Sequence, residues 1–530
     1  LSLVQAKAHG NPFFVEELLG AMLEARQLVQ DQNGAWQLAQ PLIEQLRAVN
    51  ALVLYEGEDV LSDTAALSGV ALGIPQSVQG IILSRVDYLP EAHKVTLKAA
   101  GVIGRRFEID LLMLAHPAHV KREPLARQME DLEARDFIRL LEQLVTPDSL
   151  PVGDFAPAGR QAGDIPVGVY MFRHQSTQEV VYETLLFAQR RQLHVAVAEA
   201  LEYLRPDARE QIAYHAYLGQ DWPRAMKYQL LAGKQAQQLF ANSQAIDHLR
   251  KALESAGHLA EDDTRVQRQA SHLGLGELLT STGQYAEAAE HLQQALDLAG
   301  QVGDDDAQAR ACRWFARLSE LRGDYGAALA WIQRGLALLE GQQTVEAVEL
   351  LLIAGLIYVR QGDYDNAMEQ ARIGVQAAKQ LGDGSVLARA YSLQGITLRV
   401  RGESTAAFAP IQAALDLYSE AGNIYGRGIT YNELANLAYS IGEWTQAYQY
   451  HGQARQIFSQ IGDLYHRLFA DNNLGVIALN QGRLDEALHY LHEALETLEQ
   501  VGGSAYIVGF IHMNLGHAQL LRQEPRQPAP

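Results

Sequence analysis

The stretch Gly355-Leu-Ile-Tyr-Val-Arg-Gln-Gly362-Asp-Tyr-Asp-Asn-Ala367-Met-Glu-Gln-Ala-Arg-Ile-Gly374 decides the fold, because its small residues return throughout the C-terminal half of the chain. Gly283, Gly323, Gly362, Gly402, Gly442 and Gly482 are separated by 40, 39, 40, 40 and 40 positions. Each is preceded by a small residue (Gly276, Ala316, Gly355, Gly395, Ala435, Gly475) and followed by a pair of them, Ala288 and Ala295 in the first period, Ala367 and Gly374 in the third. A fixed period in this range marks stacked helical hairpins, since one hairpin cannot bury its apolar face alone. Small residues at these places let the two antiparallel helices of each hairpin approach closely.

This pattern resembles the tetratricopeptide repeat, whose usual period is about 34 residues. About six extra residues per period extend the helices here and end in a second glycine turn, Leu381-Gly-Asp, Ala421-Gly-Asn, Ile461-Gly-Asp and Val501-Gly-Gly. The resemblance covers 261–522, with degenerate helical repeats or a linker at 189–260 that include one long helix near 222–241. Residues 505–522 supply only the first helix of a further repeat. Residues 523–530, Gln523-Glu-Pro-Arg-Gln-Pro-Ala-Pro530, are polar and Pro-rich and are expected to be disordered.

In the repeat that this resembles, the first helix of each hairpin lines a concave groove. Carried over residue by residue, the groove positions hold Arg310, Arg313, Arg317 and Arg389, then Asn432, Asn436 and Asn472. Guanidinium forks and amides of this kind suit an extended or helical protein segment, with acidic partners favoured. The alternative is a solvated face that binds nothing in particular.

The chain has 530 residues, with Lys+Arg 43 against Asp+Glu 63 and a net charge of −20, which argues against a large nucleic-acid surface. Its one cysteine, Cys312, excludes a disulfide framework and Cys-based zinc sites, fits a reducing cytoplasm, and reads as a small buried hydrophobe. No apolar run reaches the roughly 18 residues that a membrane span needs. No lysine is followed by Ser or Thr, so the chain lacks the phosphate loop of a nucleotide hydrolase, and it is expected not to be an enzyme by itself. Glu16-Glu17 and Asp304-Asp-Asp306 read as solvated, and the pairs His116/His119 and His489/His492 as surface histidines.

Upstream of 261 the pattern degrades without vanishing, and over 1–188 other signals carry the reading. Gly10-Asn-Pro12 interrupts one helix and starts another, Gly34-Ala-Trp-Gln-Leu38 suggests a short hairpin, and 41–72 reads as irregular. Further helices are expected at 74–90, 91–100, 109–115 and 124–135, and two strands of a wing at 137–144 and 169–172 flank a Pro- and Gly-rich loop. Three segments, Gly10-Asn-Pro-Phe-Phe-Val-Glu-Glu-Leu-Leu19, Leu97-Lys-Ala-Ala-Gly-Val-Ile-Gly-Arg-Arg-Phe107 and Phe172-Arg-His-Gln-Ser-Thr-Gln-Glu-Val-Val-Tyr182, resemble the region after the nucleotide-binding core of STAND-type P-loop ATPases. Such modules occur in bacterial multidomain regulators, including LuxR-like ones, and beside class III nucleotidyl cyclases.

The resemblance implies a helical arm over 1–90, a winged-helix-like domain over 91–188 and a mainly α chain that ends in an α-solenoid. It implies that Pro12 lies against the adenine of ATP or ADP in a longer parent, that Gly10 allows the close approach, and that His174 reaches the phosphates. Gln175 stands where many relatives carry an acid. The bland readings are a helix-start proline, a packed or capping histidine, and salt-bridged or solvated Arg85 and Arg173. Leu1 already reads as helical, so the chain is expected to be a piece of something longer, whose output is a cyclase, a kinase or a transcription factor. The competing expectation is a plain scaffold that has lost nucleotide sensing.

Overall fold

The computed structural model describes residues 12–31, 36–48, 52–55, 58–61, 78–144, 167–339, 341–501 and 505–523. The chain divides into two compact units, Leu1–Ala225 and Met226–Pro530. It is mainly α, and the second unit is a solenoid of helical hairpins.

The first unit contains helix α1 (Pro12–Glu24), the paired strands β1 (Leu28–Gln30) and β2 (Trp36–Leu38), α2 (Gln40–Ala48), and a second antiparallel pair, β3 (Leu52–Tyr55) and β4 (Glu58–Leu61). It continues with α3 (Val78–Asp87), α4 (Glu91–Ile103), β5 (Arg106–Glu108), α5 (Ile109–Ala115), α6 (Arg122–Ala134), β6 (Ile138–Leu144), β7 (Val167–Phe172), α7 (Gln175–Glu183), α8 (Phe187–Leu204) and α9 (Arg209–Leu218). The stretch that reads as irregular from sequence thus includes a helix and a hairpin, the latter built on the β-forming run Leu52-Val-Leu-Tyr55.

The two expected wing strands, β6 and β7, pair antiparallel, and β5 joins the far side of β7 to give the order β5-β7-β6. The sequence reading missed β5 because three residues carry no period of their own. Phe107 is nevertheless buried, with its ring 5.7 Å from that of Phe172. Around the sheet, Ile81, Ile82, Leu97, Leu112 and Phe137 form a core closed to solvent.

Helix α10 (Trp222–Gln238) contains the division between the units. The second unit then runs through α11 (Asn242–Gly257), α12 (Glu261–Ser281), α13 (Tyr285–Val302), α14 (Asp305–Leu321), α15 (Tyr325–Leu338), α16 (Val345–Gln361) and α17 (Tyr364–Leu381). It ends with α18 (Gly384–Val400), α19 (Ser404–Glu420), α20 (Ile424–Ser440), α21 (Trp444–Gln460), α22 (Leu464–Asn480), α23 (Leu484–Val501) and α24 (Ala505–Gln523). From α12 on, each first helix packs on its own second helix and then on the next hairpin.

The recurring glycines work as backbone devices. Gly362 has φ +77, and the other five lie between +75 and +84, a left-handed region that costs any residue with a Cβ. The amide of Gly362 bonds Val359 O at 3.1 Å and that of Asp363 bonds Tyr358 O at 2.9 Å, closing the last turn of α16. The Asp363 carboxylate then accepts from Asn366 N at 3.2 Å and caps α17. One Gly-Asp dipeptide therefore ends a helix and begins the next. Asp304 caps α14 in the same way through Ala307 N at 2.9 Å, so it is a structural cap rather than part of a solvated acidic run.

Small residues act at the helix contacts. A Cβ on Gly475 would lie 2.7 Å from Leu491 Cγ, and one on Gly374 would lie 2.7 Å from Leu352 Cδ2. Ala288, Ala328, Ala407 and Ala447 are fully buried at the matching places. Cys312 is buried in the same core, and burial pushes its thiol up to about 11.

Candidate functional site

Two places collect the residues that the sequence singles out. In the first unit, α1 opens at Pro12; Gly10 lies outside the described residues. One turn along α1, the Glu16 carboxylate receives Arg173 Nη2 at 2.8 Å and lies 3.5 Å from His174 Nε2. His174 is the residue before α7 and its side chain does not cap that helix. The structure thus brings Phe172-Arg-His174 against the helix that begins with Pro12, across 157 residues of sequence between Arg173 and Glu16.

Glu17 behaves differently from its neighbour. It is 2 % exposed and holds Arg85 Nη1 at 2.7 Å, while Arg85 also donates to Arg135 O at 2.5 Å and covers the Phe137 ring at 4.5 Å. The reading of Glu16-Glu17 as a solvated face therefore fails for Glu17, because α1 turns Glu17, Leu18, Ala21 and Met22 inward together. Arg85 is the salt-bridged arginine of the two readings given for it.

His116 is likewise a core residue, bonded to Thr96 Oγ1 at 3.0 Å, and not a surface histidine. Deeper in the unit, His194 Nδ1 lies 2.9 Å from His215 Nδ1, and Tyr182 Oη lies 3.1 Å from His194 Nε2. Burial lowers His194 to about 4 and His215 to about 3, so both are neutral near pH 7. His215 borders a cleft of about 720 Å³ floored by Phe107 and Leu201, where Arg205 is committed to Glu108 at 3.1 Å.

The second place is the inner face of the repeat array. Arg310 Nε donates to Glu277 at 2.7 Å, Arg389 Nη1 to Glu349 at 2.5 Å, Arg313 to Glu346, and Arg317 to Glu320. Arg360 takes the other oxygen of Glu320 at 2.9 Å. The four glutamates are buried, whereas Arg310 and Arg389 stay about half exposed. For Arg310, burial works against the charge, but Glu277 outweighs it and the guanidinium is held more firmly protonated. These forks are therefore engaged within the array, each anchored by a carboxylate from its own or an adjacent repeat.

The asparagines divide. Asn472 is 1 % exposed, accepts from Asn514 Nδ2 at 2.9 Å and donates to Asn473 at 3.3 Å, so it joins two repeats instead of facing a groove. Asn432 keeps a buried amide oxygen without a protein partner, and Asn436 is half-buried. Sequence reading missed the buried carboxylates Glu277, Glu320, Glu346 and Glu349. The signal available was an acidic residue on each of the first helices α12, α14 and α16, opposite an arginine 33 or 40 positions away.

Aromatic residues complete the inner face at α20 and α22. Tyr425 and Tyr465 occupy equivalent positions one period apart. Burial pushes the Tyr425 hydroxyl up to about 12, opposed by the charges of Arg317 and Arg389, and Tyr465 is raised by burial and opposed by Arg317 and Arg360. The arginines that act on these two tyrosines thus come from α14, α16 and α18. Among the described residues no group of three or more His, Cys, Asp or Glu is placed to hold a metal, and no helix is long and apolar enough to cross a membrane.

Family models of the tetratricopeptide repeat match residues 267–341 and 472–504, and the chain carries such repeats there. No curated protein matches the sequence. Among solved structures, the chain is similar to a signal transduction ATPase with numerous domains (STAND) protein with a tetratricopeptide repeat sensor from Pyrococcus horikoshii, at 13% identity and TM-score 0.49, covering 86% of this chain and 64% of that one. The chain therefore spans less than two thirds of the length of that relative. It is also similar to a Rap protein complexed with competence and sporulation factor (14% identity, 56% of this chain and 86% of that one, TM-score 0.42). A tetratricopeptide repeat protein from Parabacteroides merdae matches at 18% identity over 56% of this chain and 99% of its own, with TM-score 0.35.

Proposed function

We propose that this chain is the sensing portion of a multidomain signalling ATPase of the STAND type, in which the repeat array binds a protein segment and the first unit reads nucleotide state in a longer parent. The observation that carries the reading is the meeting of His174 with Glu16 one turn from Pro12. It supports the reading because the two motifs resembling nucleotide contacts are far apart in sequence yet share one corner of the unit, built on a winged-helix-like sheet. In the parent, Pro12 and Gly10 would meet the adenine and His174 the phosphates of ATP or ADP. The chain's own part is to hold that histidine beside the carboxylate of Glu16 and to exchange this partner for an anionic ligand.

On the array, the reading is a groove for a protein or peptide. Its inner arginines already have carboxylate partners, so an acidic segment would bind by sharing Arg310 and Arg389, the half-exposed forks, while Asn436 offers an amide for backbone recognition. Coupling of the two would make the array an input and an upstream cyclase, kinase or DNA-binding domain the output. A cytoplasmic location and the absence of catalysis in this chain belong to the same proposal.

Two measurements test it. ADP affinity of the full parent should fall about tenfold or more in His174→Ala, and unchanged affinity there and in Pro12→Ala sinks the sensor reading. A displayed dodecapeptide library selected on the chain should yield binders whose affinity falls in Asn436→Ala. Failure to enrich any binder, or binders indifferent to Asn436→Ala and Arg389→Lys, removes the groove.

A further inference from the structure

The turn between α10 and α11 departs from the six glycine turns of the array, as does the α9–α10 turn with Gln220 at φ +56. Its backbone makes the same pair of bonds, Phe240 N to Gln237 O at 3.0 Å and Ala241 N to Ala236 O at 2.9 Å, as the turn at Gly323, where the amides of Gly323 and Asp324 bond Glu320 O and Ser319 O. The residue that must take the left-handed conformation is therefore the one that is glycine at 283, 323, 362, 402, 442 and 482. Here it is Phe240, with φ +59. A bulky side chain is a poor choice for that backbone. The Phe240 ring makes a contact that offsets this cost.

The contact is long-range within the array. The Phe240 ring lies 5.9 Å from that of Tyr425, 185 positions later and more than four periods along the solenoid. Tyr425 in turn packs edge-on against His466 at 5.7 Å, and His466 stacks on Phe458 at 5.2 Å and bonds Asp463 at 2.7 Å. A second reach across the interior accompanies it. Tyr465, the equivalent residue of the next repeat, feels the charges of Arg317 and Arg360. A superhelix that merely stacked nearest neighbours would not bring Phe240 to a residue of α20.

We infer that Phe240 and Tyr425 form a clasp that holds the repeat array closed on its own concave face, and that the clasp must open before a protein segment can occupy the groove. The second half of this inference rests on the groove reading given above; the first does not. In the closed form, Tyr425 and Tyr465 between them feel the charges of Arg317, Arg360 and Arg389. A segment entering the groove has to displace them. Since a ligand shifts an equilibrium only by its differential affinity for the two forms, a closed ground state makes the array respond to its partner instead of carrying it passively. Opening separates α11 from α20, which converts binding on the inner face into movement of the first hairpins of the array.

Phe240→Gly is the informative substitution, because it removes the ring while relieving the backbone, so that loss of folding does not mask the result. Hydrogen exchange at 424–428 should quicken by about tenfold or more in Phe240→Gly and in Tyr425→Ala, with a larger radius of gyration in small-angle scattering, while Phe240→Tyr stays near wild type. The tightest dodecapeptide selected on the chain should bind Phe240→Gly more strongly than wild type. Exchange at 424–428 within twofold of wild type, with superimposable scattering curves, overturns the clasp even if the peptide still binds. Faster exchange with no peptide bound by either form upholds the clasp and sinks the groove reading instead.

Discussion

In the repeat array, turns and charge pairs with a buried carboxylate recur along the chain: Glu277 with Arg310, Glu349 with Arg389 and Glu320 with Arg360 each join residues 33 or 40 apart. In the first unit the corresponding device occurs once among the described residues, where Glu17 and Arg85 join residues 68 apart. The array spreads its stability over many similar local contacts, so damage at one repeat is felt mainly by its neighbours. The first unit concentrates it. A single pair fixes α1, which carries Pro12 and Glu16, against α3 and the turn at Arg135.

The strongest way to break this comparison is therefore Arg85→Ala. Removing the guanidinium leaves Glu17 buried and unpaired, at a cost of about 3–5 kcal/mol. We expect that loss to appear in denaturant unfolding and as faster hydrogen exchange at 12–24 and 78–87, with exchange in the array unchanged. The double replacement Glu17→Leu/Arg85→Met should recover most of it, because the penalty belongs to the uncompensated charge. Equal acceleration of exchange in the array would show that the units do not differ in this way.

Acid offers a test in which the units are alike. His272 Nδ1 lies 2.8 Å from His291 Nδ1, with ring centroids 5.1 Å apart, as they are in the His194/His215 pair. Burial lowers His272 to about 4 and His451 to about 3, alongside His194 and His215 in the first unit. The sign follows from depressed folded values. Near pH 7 these imidazoles are neutral in both states and contribute nothing; below about 6.5 the unfolded chain takes up protons that the folded one refuses, and stability falls. Each such histidine should cost about 2 kcal/mol between pH 6.5 and 5. Glu346, Glu433 and Asp471, raised first of all by burial, act in the opposite direction. Thermal melts of wild type and His451→Leu at the two pH values check this: the variant should lose less on acidification, and parallel losses would refute the buried-neutral assignment.

The same contrast explains what was legible in the sequence. The hairpins, their small contact residues and the glycine turns were all readable, because each repeats and spacing alone reveals it. Even Phe240 lay in a segment recognised as a degenerate repeat, yet its partner Tyr425 was invisible, since closure of the superhelix is a property of many summed hairpin rotations. Glu17 was misread because one carboxylate on a short amphipathic helix gives no sign of a cation 68 residues away. His174 was singled out by resemblance, and only the structure shows Glu16 beside it. The arginines read as groove residues lie on first helices, and their buried glutamates turn them from free forks into partnered ones.

The smallest expected effect separates backbone from packing in the array. A Cβ at Gly362 or at Gly452 would meet nothing within 4 Å, so space does not distinguish the two sites. Conformation does: Gly362 sits at φ +77 in a turn, whereas Gly452 lies inside α21 with ordinary helical backbone. Gly362→Ala should therefore destabilise the array by about 1 kcal/mol through left-handed strain. Gly452→Ala should stabilise it by about 0.5–1 kcal/mol, since it removes freedom from the unfolded chain at no cost to the folded one. Chemical denaturation of the two variants reads the difference in sign directly. A loss in both would mean that the inner contacts of α21 tolerate less than the open space around Gly452 indicates, and that the array is less local in its energetics than its period suggests.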